Sequence, residues 1–166
     1  MSNSTSNNPT TASKEVSVTQ AINASPARVW AMISDVTRMG EWSPETKSCS
    51  WLKGATGPAV GAGFKGNNEI GKKRWSTNSV VAQCEPGKSF AFDVGAMGLK
   101  VARWAYTIES GIDANSCSVT ETYTDRRGAL VRMLGKPLTG VDDRSQHNRA
   151  GIETTLANLA KAAEQS

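Results

Sequence analysis

The sequence predicts one α+β domain: a strand, two short helices, six further strands and a long C-terminal helix. Three observations carry this reading. The chain has 166 residues, enough for one core and too few for two. From Thr46 to Arg126 it consists of short segments rich in Val, Phe, Trp, Tyr and Thr, separated by Gly, Pro, Asn and Asp clusters, as in antiparallel strands. At the end, Ile152, Leu156, Leu159 and Ala163 recur at helical spacing.

Residues 1–13 are mostly Ser, Thr and Asn and carry too little apolar surface to offset ordering entropy; they are expected to be a disordered tail, with the domain spanning 14–166. Val16, Val18, Gln20 and Ile22 alternate with Ser17, Thr19 and Ala21, the two-residue period of a half-buried strand. Ser25 can cap a helix, Pro26 suits its first position, and Val29, Trp30 and Ile33 follow at helical spacing. Asp35 to Trp42 forms a second short helix that Ser43-Pro44 ends. Strands are expected near 46–53, 63–70, 73–84, 88–94, 99–109 and 116–125. In the fifth of these, Lys100, Ala102, Trp104, Tyr106 and Ile108 share one face, which should point inward.

Leu130, Val131, Met133 and Leu134 precede Gly135 and Pro137, predicting a short helix or ordered loop. The last helix should run from Val141 to about Ala163. Its apolar stripe, projected backwards, reaches Val141, Ser145 and Asn148 and so becomes partly polar. A helix lining a pocket at one end can use such groups to orient a ligand.

The composition narrows the function classes. Hydrophobic residues make up 38% and charged residues 20%, a globular balance. The net charge of +4 resides partly in Lys72-Lys73-Arg74 and in Arg126, Arg127, Arg132 and Lys136, none interleaved with aromatics, so no nucleic-acid partner is expected. Cys49, Cys84 and Cys117 show no metal or redox spacing, and an odd count leaves one unpaired. No signal-peptide stretch or membrane span is visible, so a cytoplasmic location without stable membrane insertion is expected.

Several residues in order resemble the opening of the bacterial polyketide cyclase/dehydrase and lipid-transport family, within the START-like/Bet v 1-like (SRPBCC) superfamily. They are Ser25-Pro26-Ala27 with Val29-Trp30, then Ser34-Asp35, then Trp42-Ser43-Pro44. Gly63, Phe64, Gly66, Asn68, Gly71, Arg74-Trp75, Glu85-Pro86-Gly87 and Phe90-Ala91-Phe92 continue the likeness. Trp104 to Tyr106, Val119-Thr120-Glu121, Thr155-Leu156, Leu159 and Glu164 complete it over residues 14–164. The resemblance implies a helix-grip fold, a curved seven-stranded antiparallel sheet wrapped around the C-terminal helix. It also implies a cavity for a lipid, sterol, polyketide or other apolar ligand, and some relatives are aromatase/cyclases.

Other motifs weigh little. Gly61 to Gly66 spells GxGxxG, but a strand follows instead of the helix that would present amides to a pyrophosphate, so these glycines read as hairpin and bulge positions. Ser50 and Lys53 match SxxK on a strand without its companion motifs. His147, the only histidine, reads as a solvent-exposed partner of Asp143 one helical turn earlier. Neither a metal site nor a cofactor is implied.

Glu121 shares a strand face with Cys117, Val119 and Tyr123. If that face is inward, Glu121 is either half of a structural pair with an arginine such as Arg74, the favoured reading, or a pocket acid with a raised pKa. Candidate catalytic residues are Glu121, Tyr106 and Tyr123. Candidate ligand-binding residues are Phe64, Trp75, Phe90, Phe92, Trp104, Tyr106, Glu121, Tyr123, Ser145, Asn148 and Ile152, although large aromatics more often fill cores. Leu130, Met133 and Leu134, amid four basic residues, form a gate or a membrane-touching patch, or simply a packed loop. Three functions follow: a carrier of a hydrophobic small molecule, which is preferred; a cyclase/aromatase-type enzyme; or a partner-binding module. The oligomeric state and the ligand's identity stay open.

Overall fold

The computed structural model describes residues 15–96, 98–128 and 144–165. Seven strands form one sheet: β1 (Glu15–Ile22), β2 (Thr46–Trp51), β3 (Gly63–Ile70), β4 (Lys73–Glu85), β5 (Ser89–Ala96), β6 (Leu99–Ser110) and β7 (Cys117–Asp125). Helix α1 (Pro26–Ser34) and a 3₁₀ turn (Val36–Glu41) follow β1, and helix α2 (Arg144–Glu164) closes the chain.

The sheet order is β1-β7-β6-β5-β4-β3-β2, and every neighbouring pair is antiparallel. Strands β2 to β7 therefore form a meander, while β1 joins at the far edge beside β7. The chain crosses from one edge to the other through α1 and the 3₁₀ turn. Register shifts at Thr46/Ser48, Val81/Gln83 and Val94/Gly95 interrupt the ladders. Such bulges bend a strand and raise its twist, which curves the sheet.

Local chemistry starts α1 where the sequence predicts. The Ser25 hydroxyl accepts from the Arg28 backbone N–H at 3.3 Å, and Pro26 occupies the first turn. Ser25→Ala is expected to cost about 1 kcal/mol, the usual value of an N-cap, readable as a shifted denaturation midpoint at unchanged slope. Asp35 caps the 3₁₀ turn by accepting from the Thr37 N–H at 3.2 Å. Strand β2 stops at Trp51 because the chain turns through positive φ at Lys53 and Gly54. The Ser50–Lys53 pair thus straddles a strand end and a turn.

One end of the concave face is solid. Ile22, Val29, Val36, Phe90, Val119, Ile152, Leu156 and Leu159 are almost fully buried there. Polar ties lock the helices over this core. The Trp30 indole donates to the Ser89 carbonyl at 2.9 Å, Asn158 Nδ2 donates to the Trp42 carbonyl at 3.0 Å, and the Asn23 N–H reaches Glu164 Oε1 at 2.9 Å. Helix α2 is thereby fixed at its C-terminal half. None of the described helices is long and apolar enough to cross a membrane.

Candidate functional site

The other end of the concave face is not filled. A cavity of about 1060 Å³ lies between the sheet and the N-terminal half of α2. Its wall takes Phe92 from β5, Trp104 and Tyr106 from β6, Tyr123 from β7, Phe64 from β3 and Trp75 from β4. The gap follows from residue size. The inward positions Gly66, Thr77, Ser79 and Ala102 on the strands face Ala150 and Gly151 on α2, and side chains this small cannot span the separation. A Cβ added at Gly151 would meet no atom within 4 Å.

At the inner end sits a buried acid. Glu121 is 3% exposed, and its cross-strand partners are Tyr106 on β6 and Val18 on β1. Register alone sets the contact that follows: the Tyr106 hydroxyl donates to Glu121 Oε1 at 2.9 Å. Glu121 Oε2 has no partner among the described residues, and neither has Nδ2 of Asn148, which is 4% exposed. Burial pushes the Glu121 carboxyl up to about 8, with the Tyr106 hydrogen bond opposing it. Burial and the adjacent acid hold the Tyr106 phenol well above its ordinary value. Near neutral pH, Glu121 is therefore predominantly a carboxylic acid that can donate a proton.

The rim is different in character. Lys47, Lys100 and Arg126 line it and are exposed, and Arg127 is partly so. Arg127 is bidentate to Asp125 at 2.7 and 3.0 Å, and Arg126 lies 3.7 Å from Asp93. His147 Nε2 lies 3.3 Å from Glu45 Oε2, bridging α2 to the segment before β2 at the cavity edge. Cys49 also faces the cavity, and burial raises its thiol to about 11. Among the described residues all three cysteines are free, and no group of three or more His, Cys, Asp and Glu could hold a metal ion.

The family model described as "Polyketide cyclase / dehydrase and lipid transport" matches residues 13–164. The chain belongs to this family. The START-like resemblance read from the sequence and the helix-grip architecture agree with it. A polyketide-cyclase-like protein from Corynebacterium glutamicum, solved by NMR, is 27% identical, with 92% of this chain and 90% of that one covered and a TM-score of 0.57. A protein from Chromobacterium violaceum gives a TM-score of 0.67 at 13% identity, covering 92% and 99%. DynU16, a protein in the dynemicin biosynthetic locus, gives 0.62 at 18% identity, with 92% of this chain but only 48% of DynU16 covered. At these identities the last two show the fold alone. No curated protein matches the sequence significantly.

Within this polyketide cyclase-like fold, the structure sorts the residues singled out in the sequence. Phe64, Trp75, Phe92, Trp104, Tyr106, Glu121, Tyr123 and Asn148 line the cavity. Phe90 and Ile152 do not. Both face inward but lie toward the solid end, where Phe90 packs on Phe92 with ring centroids 6.1 Å apart and Ile152 is 1% exposed. Of Ser145 only the backbone is described, and Leu130, Met133, Leu134 and Asp143 lie outside the described residues.

The expected pairing of Glu121 with Arg74 is corrected, and His147, whose expected partner Asp143 lies outside the described residues, makes a contact the sequence did not suggest. Arg74 is exposed and pairs with Glu69 at 2.6 Å, its direct neighbour in the β3–β4 ladder, so the partner of Glu121 is Tyr106. His147 is only about one-third exposed and meets Glu45, since the helix face that carries it looks across the cavity edge. Thr77 and Ser79 were not picked out from the sequence. The signal was present: they continue the inward alternation from Trp75 to Val81, where a filled core would have placed large apolar residues.

Proposed function

We propose that the chain binds and carries a hydrophobic small molecule, such as a lipid or polyketide, in the cavity beneath α2. The observation that supports this most is the cavity itself. Its volume of about 1060 Å³ lies just above the roughly 300–1,000 Å³ usual for ligand sites. Its exposed wall is mainly apolar, with Thr77 and Ser79 along it and charged side chains such as Lys47 and Arg126 at the rim. Burial of an apolar molecule against Trp75, Trp104 and Phe92 would gain roughly 25 cal/mol per Å² removed from water.

Native mass spectrometry of detergent-free protein, with a thermal-shift screen of lipids and aromatic polyketides, tests the reading. Bound apolar mass, or a ligand that raises the melting temperature, is the expected result. Complete failure of every apolar compound to bind would sink it.

A second reading, a cyclase/aromatase-type enzyme, is favoured by one observation: a buried carboxyl raised to about 8 and hydrogen-bonded by Tyr106 belongs to a residue that lines the cavity. Such an acid can protonate the oxygen of a carbonyl as an enol forms, and its carboxylate can take a proton back. On this reading Glu121→Gln lowers turnover of a poly-β-ketone substrate by about two to four orders of magnitude. An unchanged rate removes Glu121 from the chemistry while leaving carriage intact.

A further inference from the structure

Charge is not spread evenly along the sheet. Strands β3, β5 and β7 all run toward the end that carries the cavity rim, so the β3–β4 and β5–β6 hairpin tips lie there together with the end of β7 and the start of β2. The arginines of this end are spent on acids. Arg74 pairs with Glu69, Arg127 is bidentate to Asp125, and Arg103 takes both oxygens of Asp93 at 2.7 and 3.0 Å. Arg126, 3.7 Å from the already occupied Asp93, is surplus.

The lysines are not spent. Lys72 and Lys73 at the β3–β4 tip and Lys100 at the β5–β6 tip are exposed and make no ion pair among the described residues. Against them stand Glu15 at the start of β1 and Glu45, which meets His147. The turns at the opposite end carry Glu85, Glu109 and Asp113 against Lys53 and Lys88, so the positive excess belongs to the cavity end.

Apolar surface stands among these cations. Leu99 is 56% exposed next to Lys100, and Ile70, two residues before Lys72, is partly exposed. Both also line the cavity. The type of cation indicates the partner. A guanidinium fork suits a fixed carboxylate, whereas a lysine ammonium is a point charge on a flexible stem. Here the forks are satisfied internally and the free ammoniums suit a surface whose charges move. The two apolar residues occupy separate tips instead of one continuous patch, which a fluid surface can meet more readily than a folded acidic protein.

We propose that this end of the sheet docks reversibly on a bilayer rich in anionic phospholipid. Lys72, Lys73 and Lys100 lie over the headgroup phosphates, and Leu99 and Ile70 reach the boundary with the acyl chains. The cavity rim then faces lipid, which gives an apolar ligand a path that avoids water. Docking itself needs no ligand and stands apart from the carriage reading.

Co-sedimentation of the ligand-free chain with vesicles tests the proposal. Binding is expected to equimolar phosphatidylglycerol and phosphatidylcholine at low salt, and to be lost at about 1 M salt, where charges are screened beyond about 3 Å. Each lysine near an anionic surface contributes about fivefold, so Lys72→Gln/Lys73→Gln/Lys100→Gln should weaken binding by about a hundredfold. Leu99→Ser should weaken it at least about threefold by removing apolar burial. Lys53→Gln/Lys88→Gln/Lys161→Gln removes the same charge from the opposite end and should stay within about twofold of the unmodified chain. Equal losses in the two triple variants would assign binding to bulk charge and overturn the proposal. So would equal binding to pure phosphatidylcholine, or no binding to either vesicle. Binding to poly-L-glutamate without binding to vesicles would assign the surface to an acidic protein instead. None of these outcomes bears on whether the cavity holds a ligand.

Discussion

Glu121→Gln makes the protein markedly more stable at pH 8 than the unmodified chain, and the advantage shrinks as the pH is lowered toward 5. The reason is the proton on Glu121. In the folded protein the carboxyl is raised to about 8 by burial, against an ordinary value of 4.5. Below 4.5 both folded and unfolded chains hold the proton, so the group exerts no pull. Between 4.5 and 8 the unfolded chain ionises while the folded one does not, and stability from this group falls by about 1.4 kcal/mol per pH unit. Across that window the loss approaches roughly 5 kcal/mol, a large part of an ordinary domain's stability.

Glutamine keeps the shape and still accepts from Tyr106, but it has no proton to lose, so the slope disappears. Asp93 and Glu41 have lowered values through their arginine partners and act oppositely at acid pH, and they act equally in both proteins. Urea denaturation midpoints of both proteins at pH 5, 6.5 and 8 measure the difference. Parallel pH profiles would show that Glu121 ionises freely in the folded state.

Gly151→Trp weakens binding of apolar ligands without unfolding the protein. Gly151 lies on the cavity side of α2, and a Cβ built there meets nothing within 4 Å. An indole at this position extends into the space a ligand needs. Glycine is also a poor helix former, so its replacement inside α2 gains up to about 0.5 kcal/mol of helix propensity. The expected pattern is affinity reduced by at least about tenfold with an unchanged or raised denaturation midpoint. Loss of the fold would mean that the space above Gly151 is closed, and unchanged affinity would mean that ligands lodge elsewhere. Few substitutions separate the two readouts so cleanly, because most cavity-lining changes also remove packing.

Much of the architecture was legible in one dimension. The predicted strands end within two residues of the observed ones, from 46–53 against Thr46–Trp51 to 116–125 against Cys117–Asp125. Alternation, turn residues and caps are local properties, encoded by residues that are neighbours in the chain. The inward faces of β6 and β7 were legible for the same reason, as was the polar start of α2 at Asn148.

The site was less so. Phe90 and Phe92 are two residues apart on one face, yet the first is core and the second lines the cavity. What separates them is where α1 covers β5, since Trp30 of α1 donates to the Ser89 carbonyl beside Phe90. The partner of Glu121 depended on register in the β6–β7 ladder, which pairs it with Tyr106, and that of Arg74 on the β3–β4 ladder, which pairs it with Glu69. His147 and Glu45 are 102 positions apart, and no local pattern could have joined them.

By itself, then, the sequence determined the order of elements, the inward face of β6 and the family, because short-range periodicity and ordered motifs carry that information. The tertiary structure decided that a space remains under the front half of α2, that burial beside it raises the Glu121 carboxyl, and which residues line it. Those are consequences of the distance between a curved sheet and a helix anchored at its far end. Such a distance emerges only when small side chains on opposite walls are brought face to face.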